Sequence, residues 1–209
     1  MKKTIVLGLL ISAVLGCTSS EKWESTAQES DEALRSKSTY EKEVIFYRDS
    51  ISAVFYSGSN NVFPEEAISP VGRLNYFKVD EKYKVKAKFA KIENGEVFEM
   101  KTSTDRLPEY RVFGTLTFEL DGPQVLTLYQ NVEQPDYLFL PFKDKTNTKE
   151  TYGAGRYLEF SPEDLSNPEI DFNFAFNPYC AYNKDFSCPI PPTANHLDIS
   201  IPAGEKKWH

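Results

Sequence analysis

The side chains best able to do chemistry crowd into two neighbouring stretches. One reads FKDKTNTKETYGAGRYLEF over 142–160; the other reads DFNFAFNPYCAYNKDFSCPIPPTANHLDISIPAGEK over 171–206. Arg156 brings a rigid fork of donors suited to a carboxylate or phosphate. Asp144, Glu150, Asp171 and Glu205 are acids that could pair with it or move protons. The catalytic candidates are therefore Asp144, Tyr152, Arg156 and Glu205. A ligand would be held by Arg156 with Asp171, Asn173, Asn177, Tyr182 and Asn195, and Tyr157 adds a further hydroxyl. Gly153 and Gly155 allow a close backbone approach. A scaffold reading stands beside this one: Asn, Asp, Pro and Arg in irregular loops also serve buried backbone groups. An Arg156 tied to Asp144 or Asp171 beneath a loop would look the same in sequence.

The strong catalytic motifs are absent. There is no phosphate-binding glycine loop, no G-x-S-x-G and no H-E-x-x-H. The only histidines are His196 and His209, so no His-rich metal site is expected, and nothing implies a cofactor. Three cysteines occur, Cys17, Cys180 and Cys188. For the last two, a disulfide is the expectation in an oxidising compartment. The alternatives are a metal site with His196, at a spacing unlike standard zinc patterns, or a nucleophilic thiol.

Residues 1–16, MKKTIVLGLLISAVLG, have a charged start and an apolar run too short for a permanent membrane span. Val14-Leu15-Gly16-Cys17 resembles the lipobox of bacterial lipoproteins, which implies cleavage before Cys17 and lipid on it. The expected partner is thus a membrane, reached through a lipid anchor. Thr18 in place of aspartate favours the outer membrane of the cell envelope where a cell has one. Residues 17–38 read as lipidated cysteine and flexible tether, and 39–209 as a single globular β-rich domain. Of 24 basic residues, Lys2 and Lys3 leave with the signal; the other 22 against 31 acids give −9. That charge argues against nucleic acid as a partner.

The elements that must position the candidate residues follow from periodicity. Tyr40, Val44, Tyr47, Ile51 and Val54 predict one apolar face of a helix over 39–56, with Thr39 as its cap. Lysines alternate with apolar residues over 82–91, the pattern of a strand with one wet face. Asn94-Gly95 predicts a hairpin leading into 96–101, and Asp121-Gly122 a turn into 125–130. Further strands are expected at 96–101, 110–120, 125–130, 137–142, 155–160, 170–176 and 197–201. Ser161-Pro162-Glu163-Asp164 predicts one helical turn. The alternation at 170–176 sets Asp171 and Asn173 opposite Phe172, Phe174 and Phe176. The expected fold is mainly β with an N-terminal helix (α+β), an antiparallel β-barrel or sandwich with an irregular Pro-rich C-terminal segment.

Phe142, Asp144, Thr146, Thr151-Tyr152-Gly153, Gly155-Arg156-Tyr157-Leu158, Asp171-Phe172-Asn173, Asn177-Pro178, Cys180-Ala181-Tyr182, Cys188-Pro189, Pro191-Pro192, Asn195, Leu197 and Ala203-Gly204-Glu205-Lys206 together resemble a bacterial and archaeal family known only as a domain of unknown function, number 1684. The resemblance is specific over about 140–207 and looser over 40–140. It departs at His196, where the family has arginine, which weakens any role for that histidine as a base. The resemblance brings no reaction with it.

The expected function is an uncharacterised membrane-anchored envelope lipoprotein serving as a small-ligand or protein binding module, with a small polar or anionic ligand. The alternative is a hydrolase acting on such a substrate, with Arg156 and Asp144 in its site. The hydrolase needs those two side chains to converge on an open pocket. A closed buried pair would remove its basis, and a purely structural role is the third reading.

Overall fold

The computed structural model describes residues 33–58, 62–65 and 72–208. The signal peptide, Cys17 and most of the tether lie outside the described residues. The chain divides into two units, 1–42 and 43–209, so the boundary falls within the predicted helix. Among the described residues no helix is long and apolar enough to cross a membrane.

Helix α1 spans Thr39–Tyr56. Its start is fixed by a reciprocal pair: Glu41 N–H donates to Ser38 Oγ at 3.1 Å, and Ser38 N–H to Glu41 Oε2 at 3.0 Å. The cap is therefore Ser38 rather than Thr39, because only from Ser38 can Glu41 close a capping box. The buried face also differs from the predicted one. Val44, Arg48, Ser52 and Phe55 are buried, whereas Val54 and Tyr47 are largely exposed. Hydrogen bonds explain the rotation. Arg48 donates to Phe77 O and Asn173 O, both at 2.8 Å, and Ser52 Oγ receives the Leu74 N–H. Satisfied polar groups turn inward, and the Tyr47–Ile51–Phe55 stripe is left to line a cavity.

Seven strands follow: β1 (Lys84–Lys91), β2 (Val97–Glu99), β3 (Glu109–Glu119), β4 (Pro123–Asn131), β5 (Leu138–Phe142), β6 (Arg156–Phe160) and β7 (Glu169–Asp171). They form one curled antiparallel sheet, a half-barrel, in the order β6-β5-β4-β3-β1-β7, with β2 beside β3. The lysine row of β1 faces solvent, and Val85, Ala87 and Phe89 pack on the core. Asp121 adopts positive φ in the β3–β4 hairpin. Asn94 does so too, but the hairpin expected there is not formed: β1 and β2 both pair antiparallel with β3, whose eleven residues take them end to end, and not with each other. All five residues of β5 are buried, as befits a strand covered on both faces. The main core gathers Leu116, Phe118, Leu126, Leu128, Leu140 and Phe142 with Ile170, Phe172 and Ile201.

Two predicted strands do not form as such. At 170–176 only Glu169–Asp171 is a strand, and Phe172–Phe174 is a 3-10 turn. Asp171 caps that turn by accepting from Asn173 N–H at 3.0 Å, which breaks the alternation and buries Asn173. Residues 197–201 make no strand either. The segment 196–206 runs as an irregular strap, joined to the rest by single bridges such as Lys143↔His196 and Tyr76↔Glu205.

Candidate functional site

The sequence places Arg156 at the start of β6 and Asp144 just after β5. The structure brings them together, but in a closed arrangement. Both side chains are inaccessible, and Nη2 of Arg156 meets Oδ2 of Asp144 at 2.7 Å. Arg156 also donates to the carbonyls of Ile201, at 2.9 Å, and of Ala203. The other carboxylate oxygen of Asp144 accepts from Thr146 N–H at 2.7 Å and Ile201 N–H at 3.3 Å. Burial lowers the Arg156 pKa, and Asp144 opposes that shift. The pair is a rivet: it pins the strap to the sheet and leaves no open face for a substrate. The hydrolase built on Arg156 and Asp144 thus loses its geometric basis, since a clamp must present donors to a ligand, whereas here both Nη groups are spent on the chain itself and the whole side chain is inaccessible.

Several other candidates hold backbone. The Asn195 amide bridges Thr127 N–H, Thr127 O and Pro141 O. Asn173 accepts from Asp80 N–H and donates to Asp80 O. Gly155, at φ 111°, passes where a Cβ would meet Phe142 O at 2.7 Å and Pro191 Cγ at 2.6 Å. The close approach is real, but to the protein's own chain. His196 is exposed, with Nε2 3.1 Å from Pro191 O. Among the described residues no group of His, Cys, Asp and Glu is arranged to hold a metal.

Cys180 and Cys188 are free thiols here, so the expected disulfide is not formed. They are nonetheless neighbours: Cys180 N–H donates to Cys188 Sγ at 3.0 Å. Tyr152 reaches Cys180 Sγ at 3.7 Å. The hydrogen bond from the Cys188 thiol lowers the Cys180 pKa, and the same bond raises that of Cys188.

Glu205, Asn177 and Tyr182 form a different kind of centre. Gly204, at φ 74°, lets the strap cross within 2.6 Å of Ala175 O and Phe172 O, measured from where a Cβ would stand. The next residue, Glu205, is then held by its own N–H to Ala175 O at 2.8 Å and turned inward. Its carboxyl is 1 % exposed. It accepts from Tyr182 Oη and, at 2.9 Å, from Asn177 N–H. Burial pushes its pKa up to about 7, although both donors work the other way. Asn177 Nδ2 donates to Lys206 O at 2.8 Å, while its buried Oδ1 finds no partner among the described residues.

Glu205 and Asn177 border a cavity of about 180 Å3. Tyr47, Ile51 and Phe55 of α1 form one wall, and Phe174, Phe176 and Tyr179 another, with Tyr76 beside Glu205. Tyr47 and Phe174 meet edge to face at 5.0 Å. Buried Phe55, Asn177 and Glu205 form the floor; exposed Tyr47, Tyr179 and Glu159 mark the mouth. Sequence reasoning reached Asn177, Tyr182 and Glu205 but missed the aromatic walls. Its available signal was the tyrosine and phenylalanine surplus at 174–186 together with an exposed apolar stripe on α1. A second, wider groove of about 460 Å3 is lined by Glu163, Asp164, Glu169 and Asp171. Asp164 and Asp171 are engaged there as turn caps.

No curated protein matches the chain. Among solved structures, the solution NMR structure of an uncharacterized protein of Haloarcula marismortui is 34% identical, with a TM-score of 0.61, covering 90% of this chain and 95% of its own. The family described as a protein of unknown function, DUF1684, matches residues 72–206, and this chain belongs to that family.

Proposed function

We propose that the protein is a lipid-anchored envelope protein whose folded domain binds a small ligand in the cavity at Glu205. The cavity carries this reading. It has room for a body of about benzene size, apolar walls, and a few polar groups converging on its floor, the usual make-up of a small-ligand site. Fully buried acceptors at a cavity floor cost stability unless something donates to them, and the unpartnered Asn177 Oδ1 is such an acceptor. The lipobox-like Val14–Cys17 supports the anchor, and Thr18 in place of aspartate supports an outer-membrane address where the cell has an outer membrane.

Two measurements test the proposal. Thermal unfolding of the purified protein is followed with a panel of small amines, carboxylates, sugars and aromatic compounds. A member that binds only the folded state at 100 times its Kd adds about 2.7 kcal/mol, and the rise should vanish in Ile51→Trp, which fills the cavity. If no member stabilises the protein and Ile51→Trp raises its stability, the cavity is a packing defect and the binding proposal falls. For the anchor, incorporation of a labelled fatty acid should be lost in Cys17→Ser. Label retained in that variant would refute it.

A further inference from the structure

We propose that the ligand of this cavity is a small organic cation, an ammonium group carried on a compact apolar or aromatic body. The inference rests on the binding proposal above and adds the chemical class. It comes from the composition of the lining. Six of the ten lining residues are aromatic, three are Glu159, Asn177 and Glu205, and none is basic.

Apart from the hydroxyls of Tyr47, Tyr76 and Tyr179, which can donate or accept, the polar groups that the lining offers a ligand are chiefly acceptors. Asn177 Oδ1 is buried and has no partner among the described residues, while its Nδ2 is already committed to Lys206 O. The Glu205 carboxyl is buried and can only accept once ionised. Glu159 stands at the mouth, receiving the Tyr137 hydroxyl at 2.9 Å, and keeps acceptor capacity. Aromatic faces carry negative electrostatic potential and attract cations, most strongly where water is excluded. An anion would have to enter past Glu159 and come to rest against Glu205. Arg156, the guanidinium that might have received it, is locked to Asp144, Ile201 and Ala203. The other nearby guanidinium, Arg48, stacks on Tyr76 at 4.7 Å and donates to Phe77 O and Asn173 O. It is not part of the lining.

The test is isothermal titration of the full protein at about pH 8, where Glu205 is largely ionised. The probes share one ring and differ in charge: benzylamine, benzyl alcohol and benzoate. Benzylamine should bind about tenfold or more tighter than benzyl alcohol, and benzoate should be weakest. Glu205→Gln should erase most of the preference for benzylamine and leave benzyl alcohol within about twofold. Because Glu205 is buried, Glu159→Gln at the exposed mouth provides a second variant. It should weaken benzylamine by about threefold, and added salt should shrink that effect. Equal binding of amine and alcohol, with neither variant altering the ratio, would overturn the cation inference and leave a small-ligand pocket standing. Benzoate binding tightest would overturn it in favour of an anion site. Binding of none of the three would remove both this inference and the pocket proposal beneath it.

Discussion

The Arg156–Asp144 pair and the Glu205–Asn177 pair both hold the same strap, one by gripping its carbonyls and the other through Glu205 itself, yet they are built on opposite principles. Around Arg156 both Nη groups are engaged, by one carboxylate and two close carbonyls, and backbone amides saturate Asp144; Nε alone lacks a partner among the described residues, on a side chain that is fully inaccessible. Around Glu205 the balance is broken in favour of acceptors, and the imbalance borders open space. A closed set of buried charges fixes one conformation. An open set is tolerated only where it gains something, because each unmet buried group costs about 1–3 kcal/mol. By this comparison the arginine is scaffold and the glutamate belongs to the proposed site.

The comparison can be broken most forcefully at Arg156. Arg156→Ala would leave the Asp144 carboxylate buried without its cation and strand the carbonyls of Ile201 and Ala203. The expected loss is about 3–5 kcal/mol in denaturant unfolding. A variant of unchanged stability that had lost ligand binding would reverse the two assignments.

At Glu205 the expected effect depends on pH. Its pKa is raised on folding from 4.5 to about 7. The raised value means that the folded state favours the protonated carboxyl. That contribution is complete below pH 4.5 and is lost as pH rises through about 7. In Glu205→Gln the side chain stays neutral, and the Tyr182 hydroxyl can turn to accept from the new amide. Relative to wild type, the variant should therefore gain on the order of 3 kcal/mol between acid and alkaline pH. Parallel stability curves for the two proteins would mean that Glu205 is not strained when ionised, and the contrast with Asp144 would disappear.

A smaller effect is expected from the thiols. Oxidising Cys180 and Cys188 to a disulfide closes a short loop that carries Tyr182, and should stabilise by about 2–3 kcal/mol. Counting alkylated thiols before and after oxidation, alongside the unfolding midpoint, checks this. Two thiols that stay reactive under oxidant would show that the pair is held too far apart to bond.

Much of the sheet was legible in the sequence. The lysine alternation of β1, the Asp121-Gly122 hairpin and the apolar run of β5 are local patterns that the structure follows. The hairpin signal at Asn94-Gly95 misled, because β1 and β2 both pair with the long β3 and not with each other. The failures share a cause in hydrogen bonds between side chains and backbone. Arg48 and Ser52 turned the helix because their partners lie on distant residues 77, 173 and 74. Asn173 left its strand because Asp171 offered a competing cap. At the site, sequence alone gave no sign that Arg156 would be spent on carbonyls of the strap. The aromatic walls stayed hidden for a related reason: Tyr47 and Phe176 are far apart in sequence and meet only around the cavity.

The most direct test follows the amide and guanidinium signals of the 15N-labelled protein by NMR as benzylamine is added. The backbone N–H of Asn177 is bonded to Glu205 and should shift and saturate with the titration, while the Nε–H of Arg156 stays in place. A saturating shift at Arg156 with Asn177 unmoved would contradict the account, because the ligand would then sit at the centre described here as closed.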